Sequence, residues 1–248
     1  MELRFPLILD GATGTELQKR GYTGDISMEQ WTLAHPDSIR ELQRGYVDAG
    51  SRVLYTPTFG GNAVRLAAHG VTEDVAAYNR RLAALTREAA GGRALVAGDM
   101  APTGLFLPPL GDASFQQLVD AYARQVAGLE EAGVDLYVIE TMISLSDARA
   151  AVLAVRAVTD KPIFVTFACD GNGRSISGTD ITAALTALQD MGIDAFGLNC
   201  STGAQMLPQL RRLLRHHGGA HCRPAPRPVR GRNAGVELPL TDRHGLLL

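Results

Sequence analysis

The chain has 248 residues, of which 46% are hydrophobic and 20% charged, with a formal net charge of -2 at pH 7. Such a chain can bury a sizeable core, and its near-neutral balance gives no basic footprint for nucleic acid or an anionic membrane. Three cysteines, Cys169, Cys200 and Cys222, are too few and too odd for a disulfide framework; with no apolar run long enough to span a bilayer and no apolar leader core, a cytoplasmic location is expected.

Leu7-Ile8-Leu9 is a short apolar run that ends at Asp10-Gly11-Ala12-Thr13-Gly14. A buried strand entering a Gly-rich loop is the expected start of a βα unit. A short helix is expected from Glu16 to Arg20, a loop after Trp31, and a helix from about Ser38 to Ala49 stopped by Gly50. The second strand, Arg52 to Thr56, leads into Pro57-Thr58-Phe59-Gly60-Gly61-Asn62. An amphipathic helix from Val75 to Ala90 then precedes a third strand, Ala94 to Gly98. Phe115 to Ala132 reads as another amphipathic helix, and Asp135 to Ile139 as the fourth strand, ending at Glu140-Thr141. A helix carrying Ala148, Ala151, Val152 and Val155 follows. The fifth strand is Ile163 to Phe167. A helix over roughly Thr182 to Met191 precedes the sixth strand, which ends at Gly197-Leu198-Asn199-Cys200, and a last helix is expected from about Met206 to Leu214.

Alternating strands and helices with short joints imply a parallel sheet covered by helices. A G-x-G-x-x-G after the first strand is lacking, which argues against a dinucleotide-binding doubly wound sheet. Polar residues recur instead at many strand ends: Asp10, Thr58, Asp99, Glu140, Asn199 and Cys200. That distribution fits a (βα)8 TIM-type barrel, whose site is built from the C-terminal ends of its strands. A thiol at a strand end is a plausible metal or nucleophile position, although a free cysteine is also a small buried hydrophobe. Asp10 could hold the Gly11 to Gly14 turn, and Glu140 could cap the following helix. Trp31 and Phe59 either wall the pocket or pack the core, and Cys169 reads as core or rim.

Leu9-Asp10-Gly11-Ala12-Thr13-Gly14-Thr15-Glu16-Leu17, Thr56-Pro57-Thr58-Phe59-Gly60-Gly61-Asn62, Val138-Ile139-Glu140-Thr141 and Gly197-Leu198-Asn199-Cys200 form an ordered set. From about Leu7 to Leu214 the chain resembles the homocysteine S-methyltransferase family, which includes the homocysteine-binding barrel of cobalamin-dependent methionine synthase. The resemblance implies zinc-activated methyl transfer to the sulfur of homocysteine, forming methionine. It implies a zinc ion held by Cys200 and an adjacent cysteine pair, with the substrate sulfur in the open fourth position. It also implies substrate contacts from Asp10, Gly11, Glu140 and Asn199, the two acids receiving the amino group. The donor implied is a corrinoid protein, S-methylmethionine, S-adenosylmethionine or betaine.

The chain departs from that pattern after Leu214. It has no Gly-Gly-Cys-Cys-Gly segment, and residues 215–248 read as an irregular Arg/Pro/Gly-rich tail. The expected organisation is an incomplete barrel over 1–214, with strands seven and eight degraded or missing, followed by that tail. The end reads as a shifted or truncated frame of GC-rich coding. Unpaired edges are then expected at the first and sixth strands. His216, His217, His221 and Cys222 offer substitute metal donors or form a solvated tail. The rival readings are a non-catalytic remnant that binds a small amino acid or a partner subunit, and a metal-free βα-barrel lyase.

Overall fold

The computed structural model describes residues 7–201 and the backbone of a short strand at 245–247. The elements in chain order are α1 (Gly14–Lys19), α2 (Met28–Ala34), α3 (Pro36–Asp48), β1 (Val53–Tyr55), α4 (Ala63–Ala68), α5 (Val75–Ala90) and β2 (Leu95–Met100). They continue as α6 (Phe115–Glu131), β3 (Leu136–Met142), α7 (Leu145–Arg156), β4 (Ile163–Phe167), α8 (Ile181–Gln189), β5 (Ala195–Leu198) and β6 (Gly245–Leu247). The sheet runs β1-β2-β3-β4-β5-β6, with every neighbouring pair parallel. The order never reverses, so there is no switch point of the doubly wound kind.

The two faces of the strands bury different partners. Tyr137, Ile139, Ile163, Val165 and Phe196 pack with Leu118, Tyr122, Val126, Leu129 and Val152 of the helical layer. Val53, Ala97, Leu136, Val138, Phe164 and Ala195 point the other way and cluster with Leu7, Leu9 and Tyr55. Val138, Phe164 and Ala195 lie side by side across three strands, which is how a barrel fills its interior in layers. The fold is therefore of the (βα) barrel type, and the sheet is open among the described residues.

Three sequence expectations change. Leu7-Ile8-Leu9 is not a regular strand, yet Ile8 accepts hydrogen bonds from Arg52 N–H (2.7 Å) and Val53 N–H (3.2 Å), so it lies against β1. The loop expected after Trp31 is instead part of helix α2, which Ser27 and Gln30 start with a reciprocal capping box. The edge expected to lie open at the sixth strand is paired: β6 runs parallel to β5, with Phe196 opposite Leu246. The helix expected at Met206 to Leu214 and the residues 215–244 lie outside the described residues.

Side-chain caps set where the helices begin. Asn62, Asp74, Ser114 and Asp180 each accept a backbone N–H from the first turn of α4, α5, α6 and α8, an arrangement that contributes about 1 kcal/mol per cap. Helix α7 has Ser144 at its N-cap position, so Glu140 is not its cap and remains within β3.

Candidate functional site

The C-terminal ends of the strands gather the polar residues. Asp10 stands at the mouth beside β1 and its carboxylate accepts Tyr55 N–H at 2.9 Å. It thus ties the N-terminal segment to the end of β1 and does not hold the Gly11 to Gly14 turn. Tyr46 fixes the same loop from helix α3: its hydroxyl donates to Ala12 O at 2.7 Å. A Cβ at Gly11 would sit 2.8 Å from the Tyr46 ring, whose outer end would have to shift. Burial, with the nearby Glu140 charge, pushes Asp10 up from 3.8 to about 7, against the pull of the Tyr55 N–H.

Glu140 and Thr141 lie inside β3, where the pairing with β4 shifts register between Ile139 and Met142. A bulge of this kind re-aims side chains. Thr141 adopts φ +58° and Cys200 φ +47°, a left-handed conformation uncommon for non-glycine residues and costly to hold. Asn199 connects them. Its Nδ2 donates to Glu140 Oε2 at 2.6 Å and to Thr141 Oγ1 at 2.8 Å, while its Oδ1 accepts Thr141 N–H at 3.0 Å. Thr141 Oγ1 in turn donates to Cys200 Sγ at 3.6 Å. Cys200 is exposed and Asn199, Glu140 and Asp10 are half-buried, so all four can meet a ligand.

A third acid stands behind them. Asp99, on β2, is 5% exposed; it pairs with Val138 of β3, two residues before Glu140, and the Glu140 charge is among the causes that push its carboxyl up. Its backbone is locked: Asp99 N–H donates to Thr56 Oγ1 at 2.9 Å, and Asp99 O accepts Thr58 Oγ1 at 2.7 Å. Gln125 of α6 donates to Thr58 O at 2.7 Å and to Asp99 O at 3.2 Å. Glu29, buried on α2, accepts Gly60 N–H at 2.6 Å and anchors the loop after β1. Sequence reasoning placed Asp99 among the polar strand ends and left it out of the site. The usable signal was an acid inside the apolar run Leu95-Val96-Ala97-Gly98-Asp99-Met100, where an unpaired charge is rare.

Trp31 is core: it packs with Leu17, Ile39, Leu42 and Leu85 and stacks on His35. Phe59 is half-buried, with the Arg65 guanidinium 5.8 Å from its ring centre. Cys169 is 8% exposed, its N–H donates to Ser201 Oγ at 3.0 Å, and its sulfur accepts from the same hydroxyl at 3.9 Å.

The family model for homocysteine S-methyltransferase matches residues 7–238. The chain belongs to this family. It is 32% identical over 228 residues to the methionine synthase of Mycobacterium tuberculosis, a match covering 85% of this chain and 19% of that protein. The methionine synthase of Mycobacterium leprae is 33% identical over 228 residues, again 85% of this chain and 19% of the relative. The chain thus spans about a fifth of the length of these curated relatives. The metallated form of the homocysteine methyltransferase MmuM from Escherichia coli superposes with a TM-score of 0.68 at 25% identity, covering 78% of this chain and 74% of that one.

Zinc bound as the family resemblance implies needs Cys200 and an adjacent cysteine pair. The sequence contains no such pair, and no group of three His, Cys, Asp or Glu side chains that could hold a metal ion occurs among the described residues. Cys200 is one soft donor, and a catalytic zinc site takes three protein ligands. The described residues therefore do not fit that zinc site, while Cys222, His216, His217 and His221 lie outside them.

Proposed function

We propose that this chain is the homocysteine-binding barrel of a methyltransferase that forms methionine. Asp10 and Glu140 receive the ammonium group of homocysteine through charge-assisted hydrogen bonds, Gly11 and Asn199 line the same mouth, and the substrate sulfur lies toward Cys200. In the reaction the sulfur forms a bond to the methyl carbon as the donor–carbon bond breaks, its electron pair leaving with the donor; the thiol proton goes to solvent. The observation that carries this reading is the Asn199 hub. One side chain holds Glu140 at 2.6 Å and Thr141 at 2.8 Å, and Thr141 holds the sulfur of Cys200. The hub fixes the distance between an amine-binding acid and a thiol, as an amino-thiol substrate requires. The donor is a corrinoid protein, S-methylmethionine, S-adenosylmethionine or betaine.

The lack of an adjacent cysteine pair favours a second reading, a protein that binds homocysteine without turning it over. Elemental analysis of the purified chain, homocysteine titration, and methionine formation with each donor separate the two. Bound zinc with turnover lost to a chelator supports the enzyme. Homocysteine binding with neither zinc nor turnover supports the second reading. Failure to bind homocysteine sinks both, and turnover undiminished by a strong chelator favours a metal-free enzyme.

The domain division proposed is a barrel over 1–214 and a tail over 215–248 from which residues 245–247 return to the sheet beside β5, and limited proteolysis tests it. A cytoplasmic location is proposed on the strength of the free thiols Cys169 and Cys200, and cell fractionation tests it. Among the described residues no helix is long and apolar enough to cross a membrane.

A further inference from the structure

Asp99 differs from the other acids that brace the sheet. Asp147, on α7, is 2% exposed, and it spends both oxygens on the Thr103 N–H and hydroxyl and on the Tyr122 hydroxyl. Asp135 and Asp194 accept the N–H groups of Val96 and Ile163 at the sheet's other end. Among the described residues Asp99 Oδ1 is buried with no donor, and Asp99 stands opposite Val138 in the β2–β3 register, two residues before Glu140, whose charge bears on it. A buried polar atom without a partner is costly to fold around, so an acid kept in that position calls for a reason.

We propose that Asp99 is a positioning residue that stays protonated and donates its O–H to Glu140, holding Glu140 ionised and aimed at the substrate's ammonium group. Two adjacent buried carboxyls cannot both ionise cheaply, and one proton between them turns repulsion into a hydrogen bond. The surroundings place that proton on Asp99. Asp99 is faced by Glu140 from β3, Asp10 from the N-terminal segment and Glu29 from α2, and burial together with these charges pushes it well up. The Tyr55 phenol of β1 is raised by burial and by Glu140, Asp10 and Asp99. Glu140 is half-buried and has Asn199 Nδ2 at 2.6 Å as well. Burial raises it, and the hydrogen bonds from Asp99 and Asn199 pull it back. Glu140 thus has two donors, one from β2 and one from the residue before Cys200. The locked backbone at Thr56, Thr58 and Gln125 gives the β2 donor a fixed origin, as a positioning group needs.

Only the identity of the cation rests on the homocysteine reading; the protonation of Asp99 does not. Infrared spectroscopy of the full chain at about pH 8, above the ordinary carboxylate range, tests the protonation alone. The expected result is a carboxylic-acid C=O band that D99N removes and D10N leaves; no such band in the wild type overturns the proposal. Titration with L-homocysteine against pH tests the positioning. D99N retains an N–H donor and is expected to bind within a few fold of wild type. D99A removes the donor, weakens binding about 10-fold at neutral pH and moves the acid limb of the affinity profile upward. D99S backs up D99A if the latter melts early. If both D99N and D99A move the acid limb downward, Asp99 is an ionised repeller and the proposal fails. If neither moves it, Asp99 is structural and the proposal fails. If the wild type does not bind homocysteine, the homocysteine reading fails and the infrared band alone decides the role of Asp99.

Discussion

Thr141 and Cys200 are the non-glycine residues with left-handed backbone among those described, and they touch, Thr141 Oγ1 donating to Cys200 Sγ at 3.6 Å. Two uncommon conformations, one within β3 and one just past the end of β5, thus converge on one sulfur. Strain of this kind typically persists where the surroundings over-determine it, often at functional sites.

Cys200→Gly separates strain from function. Glycine adopts φ +47° without steric penalty, at some cost in unfolded-chain entropy. We expect stability unchanged or raised by up to about 1 kcal/mol in a thermal melt, with homocysteine turnover abolished. A clear loss of stability would show that the thiol is chiefly a packing group.

Asp10 couples stability to pH. Its folded value of about 7 lies above its ordinary 3.8, so between those limits the folded chain binds more protons than the unfolded one. Stability therefore falls as pH rises from about 4 to about 7. Asp10→Asn keeps an acceptor for Tyr55 N–H and removes the buried charge. It is expected to flatten that part of the stability curve and raise the melting temperature at neutral pH, while weakening homocysteine binding at least 10-fold by loss of a charge-assisted contact. Unchanged affinity would remove Asp10 from the site.

Asp147 secures the loop after β2 to helix α7. Asp147→Ala leaves the Thr103 N–H, the Thr103 hydroxyl and the Tyr122 hydroxyl without this acceptor. We expect a loss of about 3 kcal/mol by denaturant titration. Tyr122→Phe removes one of those bonds and should cost only about 1 kcal/mol.

Two glycines are needed for close approach. A Cβ at Gly128 of α6 would lie 2.1 Å from Ala76 O on α5, and one at Gly61 would lie 2.1 Å from Asn79 Oδ1 and 2.9 Å from Thr58 O. Gly128→Ala meets backbone and should cost about 3 kcal/mol or more. Gly61→Ala should also disturb the Thr58–Asp99 contact, so its affinity loss should exceed that of Gly128→Ala. Equal affinity in the two variants would show that the β1 loop does not support the site.

Strands β1 to β5 were legible as short apolar runs with a polar end, as in Ile163 to Phe167, which the structure reproduces without change, whereas β6 lies in a stretch whose residues read as an irregular tail. Helix α5 was equally plain, bounded by the Asp74 cap and Gly91 at φ +54°. Helices α2 and α4 were missed because they are short, at 7 and 6 residues, too brief for periodicity to register. Asp10, Glu140, Asn199 and Cys200 could be named because motifs carry them. The placing of Asp99 beside the segment that carries Glu140 could not, since strand register decides which residues are neighbours. The same holds for the positive φ of Thr141, which arises from a bulge that no residue type announces.

Strand β6 lies directly beside β5, and β5 leads into Asn199 and Cys200. During translation β5 emerges well before its neighbour is synthesised, so this flank of the pocket forms late. A nascent chain halted in that interval would offer a bare strand edge and an accessible thiol to chaperones and oxidants alike. Ribosome-bound intermediates of defined length, probed with a thiol-reactive dye, would show the sulfur at position 200 becoming less reactive as the last strand docks.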